Sequence, residues 1–223
     1  MTYQQAIEAR HSVRTYTDRP IEPEKAEILT RLTEQINRTT GLHFQLVCNE
    51  PQGFSGMMAH YGRFRGVKNY FVLAGPEGKD LEVGYYGEQL VLKAQTLGLN
   101  TCWVAMTFNR KKAVYTLAPG EKMYVVISLG YGDTQGVPHR SKPLAQLSDL
   151  SDSSPDWYRR GVQAALLAPT AVNQQKFRFT LNGDKVSAAA GGGFCTQMDL
   201  GIVMCHFDVG SGRNSFGMGA EEW

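Results

Sequence analysis

The sequence predicts an α+β fold of two similar α/β halves fused in one chain. The first observation is an element order, helix–strand–strand–helix, read at about residues 23–97 and again at about 155–205. The second is that strand candidates are either alternating segments with one buried face or short apolar runs buried on both. The third is a composition of 42% hydrophobic and 20% charged residues, enough to bury a sizeable core. Together they predict one mixed sheet layer with helices around it. The first half is placed at 1–145 and the second, shorter half at 155–223. A linker is placed at about 146–154, within the polar stretch Asp133–Ser154.

The elements follow in order. Thr2 can cap a short helix running through Arg10. Pro23 opens a second helix, with Ile28, Leu29, Leu32 and Ile36 at helical spacing. Phe44, Leu46 and Cys48 alternate with polar residues as in a half-buried strand, and 51–68 reads as a Gly-, Met- and Arg-rich loop. Tyr70–Ala74 is a buried strand, and Asp80–Leu97 a helix stopped by Gly98. Thr101–Met106 is a further strand, and Asn109 caps a short helix ending before Pro119. Lys122–Leu129 is the most β-branched segment. Past the linker, Pro155–Leu167 is a helix, and Lys176–Leu181 and Lys185–Ala190 form a hairpin turning at Asn182-Gly183. Thr196 then caps a helix through about Cys205.

Charge and hydropathy exclude several functions. Basic residues number 23 against 21 acidic, a net +2 that offers no basic face for nucleic acid. The longest apolar runs, such as Met123–Ile127, are far short of the ~20 residues of a membrane span. Residues 1–16 carry no hydrophobic signal core, so a cytoplasmic protein is expected. Cys48, Cys102, Cys195 and Cys205 form no CxxC pair and are expected to be reduced, buried thiols. Cys195, Cys205 and His206 lack a fourth ligand at metal spacing, so no metal is expected.

Glycine-rich segments are easily over-read. Gly130-Tyr131-Gly132 with Gly136 has the wrong spacing for a dinucleotide fingerprint and opens no helix. Gly191–Gly193 reads as a flexible turn, and GxxxxGK[ST] and GxSxG are absent. More informative is Arg10-His11-Ser12-Val13-Arg14, in which two guanidiniums flank a hydroxyl just past a short helix, the donor set a phosphate or anionic ring edge needs. Three further stretches accompany it: Gly98-Leu99-Asn100-Thr101-Cys102-Trp103, Leu129-Gly130-Tyr131-Gly132 with His139-Arg140-Ser141-Lys142, and Ala168-Pro169-Thr170-Ala171-Val172-Asn173-Gln174-Gln175.

With these four stretches the chain resembles the nitroreductase-like flavoproteins, and in particular their single-chain, pseudo-dimeric branch. The family's RxSxR, GLGTCW, GY-plus-basic-tail and APSxxNxQPW patterns all have counterparts between residues 10 and 177. The order departs from the usual one. The family's APSxxN loop falls where this chain has Arg38-Thr39-Thr40-Gly41, and its counterpart here comes at Pro169. Lys176-Phe177 stands for the family's Pro-Trp, Thr170 for its loop serine, and Ala105 and Met106 for its two small residues. Met106 is expected to narrow the face over the flavin.

The resemblance implies one FMN per chain, with Arg10, Ser12 and Arg14 supplied by the first half and Pro169 to Gln175 by the second. Arg10, Arg140 and Lys142 would neutralise the phosphate, with Ser12 donating to it. Arg14 would stabilise the reduced ring. Asn173 and Gln175 would reach ring or ribityl, and amides near Ala105 and Met106 would face N5 and O4. His11 would touch ring or phosphate, or be structural. Trp103 is read as core. Tyr85, Tyr86 and Arg63-Phe64-Arg65 are candidates for the mouth. No side chain need act as acid or base, because the flavin carries hydride.

The reading is an FMN-dependent oxidoreductase. It would pass hydride from NADH or NADPH to a small-molecule acceptor such as a nitroaromatic or quinone, as a monomer with an internal pseudo-dimer. Other flavin chemistry, a flavin-storing or redox-sensing protein without NAD(P)H turnover, and a plain interaction module are the competing readings.

Overall fold

The computed structural model of the chain describes residues 1–219, so residues 220–223 of the expected second half lie outside the described residues. Two compact units emerge. The sheet unit comprises Ala9–Lys79 and Leu90–Val137, and the hairpin unit Met1–Glu8, Asp80–Gln89 and Pro138 onward. Each is described by itself.

The sheet unit is built on four antiparallel strands: β1 (His43–Val47), β2 (Asn69–Pro76), β3 (Asn100–Val104) and β4 (Glu121–Gly130), in the order β1-β2-β4-β3. The continuous apolar run of β2 places it inside, and all but Pro76 of it is buried. Helix α2 (Pro23–Thr40) starts with proline at its first turn, where the missing N–H has no helical acceptor to lose. Its Asn37 grips the edge strand, donating to Phe44 O at 2.8 Å and accepting from Phe44 N at 2.8 Å. Only Phe44 of the expected buried face of β1 is fully buried, and Cys48 is exposed just past the strand's end.

The stretch expected as a loop at 51–68 contains a 3₁₀ turn (Gln52–Phe54) and a short helix α3 (Met57–Tyr61). Buried Phe54, Ala59 and Phe64 anchor it, with the Phe54 and Phe64 rings edge-to-face at 5.1 Å. The expected helix after Asn109 is a single turn, Lys112 N and Ala113 N both donating to Asn109 O. The chain beyond is drawn out along β1 instead, where Thr116 and Gln45 exchange bonds of 2.8 and 2.9 Å. Strand β3 stops at Val104, leaving Met106 64% exposed.

The hairpin unit holds α5 (Leu144–Leu147), α6 (Asp156–Ala165), the hairpin β5 (Phe177–Asn182) and β6 (Lys185–Ala190), and α7 (Thr196–Ser211). The chain's first helix, α1 (Tyr3–Ala9), opens with a capping box in which Gln5 N donates to Thr2 Oγ1 and Thr2 N to Gln5 Oε1. Helix α4 (Asp80–Thr96) contributes Asp80–Gln89 to this unit and the rest to the sheet unit. The hairpin forms its own two-stranded sheet, so two separate antiparallel sheets replace the expected mixed layer. Asn182 pairs with Lys185, which puts the tight turn at Gly183-Asp184, one residue later than expected. Residues 146–154 lie within this unit. Their Asp149 accepts from Tyr158 Oη at 2.6 Å and Leu181 N at 2.9 Å, binding the segment to α6 and β5.

Helix α7 is buried along its length except at Gln197. It crosses the first part of α4 backbone to backbone. A Cβ on Gly201 would stand 2.0 Å from Leu81 O, and one on Gly84 would stand 2.0 Å from Met198 O. The helix runs to Ser211, six residues beyond the expected end, because its late polar residues find partners. His206 bridges Glu88 at 2.8 Å and Ala164 O at 3.1 Å, and Asp208 accepts from Tyr85 Oη at 2.8 Å and Ser215 N at 2.9 Å. Thr196 bonds back to Gly193 O, while Cys195 takes the N-cap place in a left-handed conformation.

Two predictions follow from this helix. Gly201→Ala forces backbone apart and should destabilise the protein by about 3 kcal/mol in urea unfolding. Gly192→Ala, with nothing near its Cβ, should change stability by less than about 0.5 kcal/mol. Burial pushes the Asp208 carboxyl up to about 6, against the opposing hydrogen bonds from Ser215 and Tyr85. The native state therefore holds a proton that the unfolded chain releases near pH 4, and this group's contribution to stability falls as pH rises from about 4 to 6. Urea midpoints of Asp208→Asn, relative to the parent, should shift across that window and level off above it.

Candidate functional site

The Arg10–Arg14 motif lies along the outer edge of β3. Ser12 bridges Thr101 in parallel, and Val13 N donates to Thr101 O at 3.0 Å. The chain continues between two other segments. Arg65 N donates to Arg14 O at 2.9 Å, Tyr16 N to Arg65 O at 3.0 Å, and Thr17 N to Tyr131 O at 2.8 Å. Tyr16 Oη donates to Val13 O at 2.8 Å and shares a hydrogen bond of 2.8 Å with Ser128 Oγ. The glycine-rich stretch after β4 serves this segment. Gly136 has φ +76°, and a Cβ there would stand 2.7 Å from the Cβ of His11.

This backbone sorts the motif's side chains. Arg10 is buried, His11 and Ser12 are half-buried, and Arg14 is exposed, with no ion pair to it among the described residues. Burial and then the Arg10 charge hold the His11 imidazole below its usual value, so it is neutral at pH 7. Burial raises the Cys102 thiol, opposed by Arg14, a hydrogen bond from Ser12 and then Arg10. One thiol thus feels both arginines and the serine of the motif. Trp103 is half-buried, and Ala105 and Met106 follow directly on the last ladder pair, Val104 with Val126.

In the hairpin unit the basic tail and the 168–175 loop form one hydrogen-bonded block. Gln175, 4% exposed, donates from Nε2 to Arg140 O at 2.8 Å and to Asn173 Oδ1 at 2.8 Å, and its Oε1 accepts from Lys142 N at 2.8 Å. Asn173 Nδ2 also donates to Arg140 O, at 3.0 Å. Thr170 Oγ1 accepts from Gln175 N at 3.1 Å. Lys142 Nζ donates to the carbonyls of Gln174 and Gln175, at 2.6 and 3.2 Å, so its charge is spent inside the block. Pro169 is half-buried and Arg140 exposed.

Three of the loop's residues have left-handed backbone: Val172 (φ 47°), Asn173 (φ 55°) and Gln175 (φ 45°). For a β-branched residue this is a strained state, and Val172 is 95% exposed, so no packing of its own side chain repays it.

The sequence-predicted residues therefore gather in two places. Arg10, His11, Ser12, Arg14, Ala105 and Met106 cluster around β3 in the sheet unit. Arg140, Lys142, Pro169, Thr170, Asn173 and Gln175 form the loop block in the hairpin unit. Tyr85 is not at a mouth, being fully buried with its hydroxyl on Asp208. One brace escaped sequence reasoning. Asp199, on α7, accepts from Ala171 N at 2.8 Å and Gln174 Nε2 at 2.7 Å. Burial pushes its carboxyl up, and those two bonds pull it back. An acid followed by the apolar run Leu200–Cys205 was its available signal. Arg65 is read from sequence as a candidate for the mouth, and its backbone instead braces Arg14 and Tyr16.

Fold and motif residues together define a nitroreductase-like α+β protein. The chain belongs to the family described as "Putative TM nitroreductase", whose model matches residues 2–211. A "putative nitroreductase" from Thermotoga maritima shares the fold at a TM-score of 0.65 and 22% identity, over 94% of this chain and 83% of that one. Another, from Desulfovibrio desulfuricans and solved in complex with FMN, gives a TM-score of 0.51 at 21% identity, over 70% of this chain and 98% of that one. A nitroreductase family protein from Streptococcus pneumoniae gives 0.51 at 13% identity, over 65% and 97%. No curated protein matches the chain. Among the described residues no helix is long and apolar enough to cross a membrane, and no three metal-ligating side chains cluster.

The loop block yields a stability prediction. Gln175→Ala removes a buried amide that accepts from Lys142 N and donates to Arg140 O and Asn173 Oδ1, and should destabilise the protein by about 2–3 kcal/mol. Val172→Gly relieves the left-handed strain and should stabilise it by about 1 kcal/mol. Urea unfolding of both variants checks the pair.

Proposed function

We propose that this protein is an FMN-dependent oxidoreductase, taking hydride from NADH or NADPH and passing it to a conjugated acceptor such as a nitroaromatic or quinone. The observation that carries the reading is Arg14, an exposed guanidinium with no ion pair among the described residues, on a segment whose backbone is locked at both sides. A flavin ring that gains negative charge on reduction calls for a fixed cation of this kind.

The residues present fit FMN. Ser12 and Arg14 offer a hydroxyl and a bidentate donor on a rigid segment, and buried Arg10 adds positive charge behind them. Gly136 lets the chain approach that segment closely. Ala105 and Met106, beyond the last ladder pair of β3, have backbone amides able to face N5 and O4. In the hairpin unit the left-handed loop keeps Asn173 exposed, and strain held in such a loop is a mark of ligand binding. Lys142 and Gln175 act through the loop, holding Asn173 and Arg140 in place, while exposed Arg140 supplies charge for a phosphate. His11, half-buried on the same segment, has its Cβ beside Gly136. The chemistry supplied by FMN is hydride transfer at N5. The chain's part is to bind, orient and polarise.

The order of α2, β1, β2 and α4, with the short α3 between its two strands, recurs as α6, β5, β6 and α7 and supports the reading of two fused halves, and with it a protein that works as a monomer.

The test is the absorbance spectrum of the purified protein, followed by FMN affinity from fluorescence quenching. Arg14→Ala should weaken FMN binding by about tenfold or more, the scale of one charged hydrogen bond. Arg14→Lys should recover part of it, since lysine keeps the charge and loses the fork. Asn173→Ala should also weaken binding. Arg31→Ala, an exposed residue paired with Glu27, should not. NADH or NADPH should bleach the bound flavin without oxygen. Unchanged affinity in the Arg14 and Asn173 variants would overturn the site, and a protein that binds no FMN would overturn the function.

A further inference from the structure

The sheet unit carries exposed apolar and basic side chains to which the flavin reading gives no ligand. Met57, Met58 and Tyr61 on α3 are 84%, 48% and 80% exposed, and Met106 past β3 is 64% exposed. Soluble proteins seldom leave several large apolar side chains together in water without a ligand for them. The segments carrying them are clasped. Asn109 N donates to Gly53 O at 2.7 Å, and a Cβ on Gly62 would stand 2.5 Å from Thr107, the neighbour of Met106. Methionine side chains are adaptable and polarisable, suited to flat rings of differing outline.

The charge beside this wall is of one sign. From residue 51 to residue 76 the chain has no acidic residue and four basic ones, His60, Arg63, Arg65 and Lys68. Lys68 is taken up by Asp18 at 2.8 Å. Arg63 and Arg65 are exposed and have no ion pair among the described residues. Between them Phe64 is buried against Phe54, which fixes the backbone from which both arginines project. The Arg65 N–H in turn holds Arg14 O, on the segment proposed to meet the flavin.

We propose that this surface selects planar aromatic acceptors bearing an anionic group. The ring lies on Met57, Met58, Tyr61 and Met106, and the carboxylate, sulfonate or similar group is taken by Arg63 and Arg65. The assignment of these ligands as acceptors rests on the flavin reading. The binding surface itself does not. A guanidinium offers a carboxylate two parallel donors, and a ring on an apolar wall removes water from around the pair. Because both arginines are solvated, the selectivity is moderate, about tenfold for the anion over its neutral isostere.

The experiment compares 4-nitrobenzoate with 4-nitrobenzamide at neutral pH. Affinities are measured by ligand-observed NMR on the purified protein with and without added FMN, and kcat/KM is measured in anaerobic turnover of the FMN-loaded enzyme. The nitrobenzoate should bind about tenfold more tightly, and the preference should shrink in high salt. Arg63→Gln with Arg65→Gln should abolish the preference, leaving nitrobenzamide affinity unchanged. Arg63→Lys with Arg65→Lys should keep part of it. Tyr61→Ala with Met57→Ala should weaken both probes alike. Equal affinity for the two probes, a preference that survives the double glutamine variant, or no binding of either probe at millimolar concentration would overturn the proposal. Loss of FMN binding or turnover with the NMR preference intact would count against the flavin reading alone.

Discussion

The burial of α7 is the constraint on which the hairpin unit depends. A helix enclosed on nearly all sides can approach its neighbours only through small residues, and it must find a partner for each polar group it carries inward. Gly201 meets the first condition where α7 crosses α4. Asp199, His206 and Asp208 meet the second, Asp199 on the 171–174 loop, His206 on α4 and α6, and Asp208 on α4 and Ser215. The apolar remainder supplies the core, with the Phe207 and Phe179 rings stacked at 4.9 Å.

The same constraint reaches the candidate site. Asp199 spends both carboxylate oxygens on the loop that follows α6, accepting from Ala171 and Gln174. From the other side Lys142 fastens the carbonyls of Gln174 and Gln175. Held at two ends, the loop keeps three residues in left-handed conformation that free peptide would abandon. In the sheet unit, rigidity arises differently. There the Arg10–Arg14 segment lies on a sheet edge, where its Val13 N–H satisfies the Thr101 carbonyl of β3. Candidate residues on both units are therefore placed by backbone hydrogen bonds and, in the hairpin unit, by the Asp199 carboxylate, while Arg14, Arg140 and Asn173 stay solvent-facing.

Much of this was legible in the sequence. Tyr70–Ala74, Lys122–Leu129, Asp80–Leu97 and the 176–190 hairpin were readable because their periodicity and stop residues are local. So were the four motif stretches, whose residue types and spacing survive without any tertiary information. Less legible was 51–68, where glycine, methionine and arginine concealed a short helix pinned by Phe54 and Phe64. The supposed helix after Asn109 failed for a related reason: pairing of Thr116 with Gln45 outweighed local propensity. Cys48 was expected inside because strand alternation was carried one residue past the end of β1.

By itself the sequence determined the family resemblance, the α+β class and the identity of the candidate binding residues. These depend on residue chemistry and on patterns a few residues long. Only the tertiary structure decided what each of those residues is free to do. Arg10 and Arg14 look equivalent as letters, yet one is buried and the other exposed, because residues 12–17 lie along a sheet edge and between two further segments. Lys142 reads as a phosphate ligand, yet its ammonium is engaged by two carbonyls more than thirty residues away. Such partners are distant in sequence, and their availability follows from packing, which no local pattern encodes.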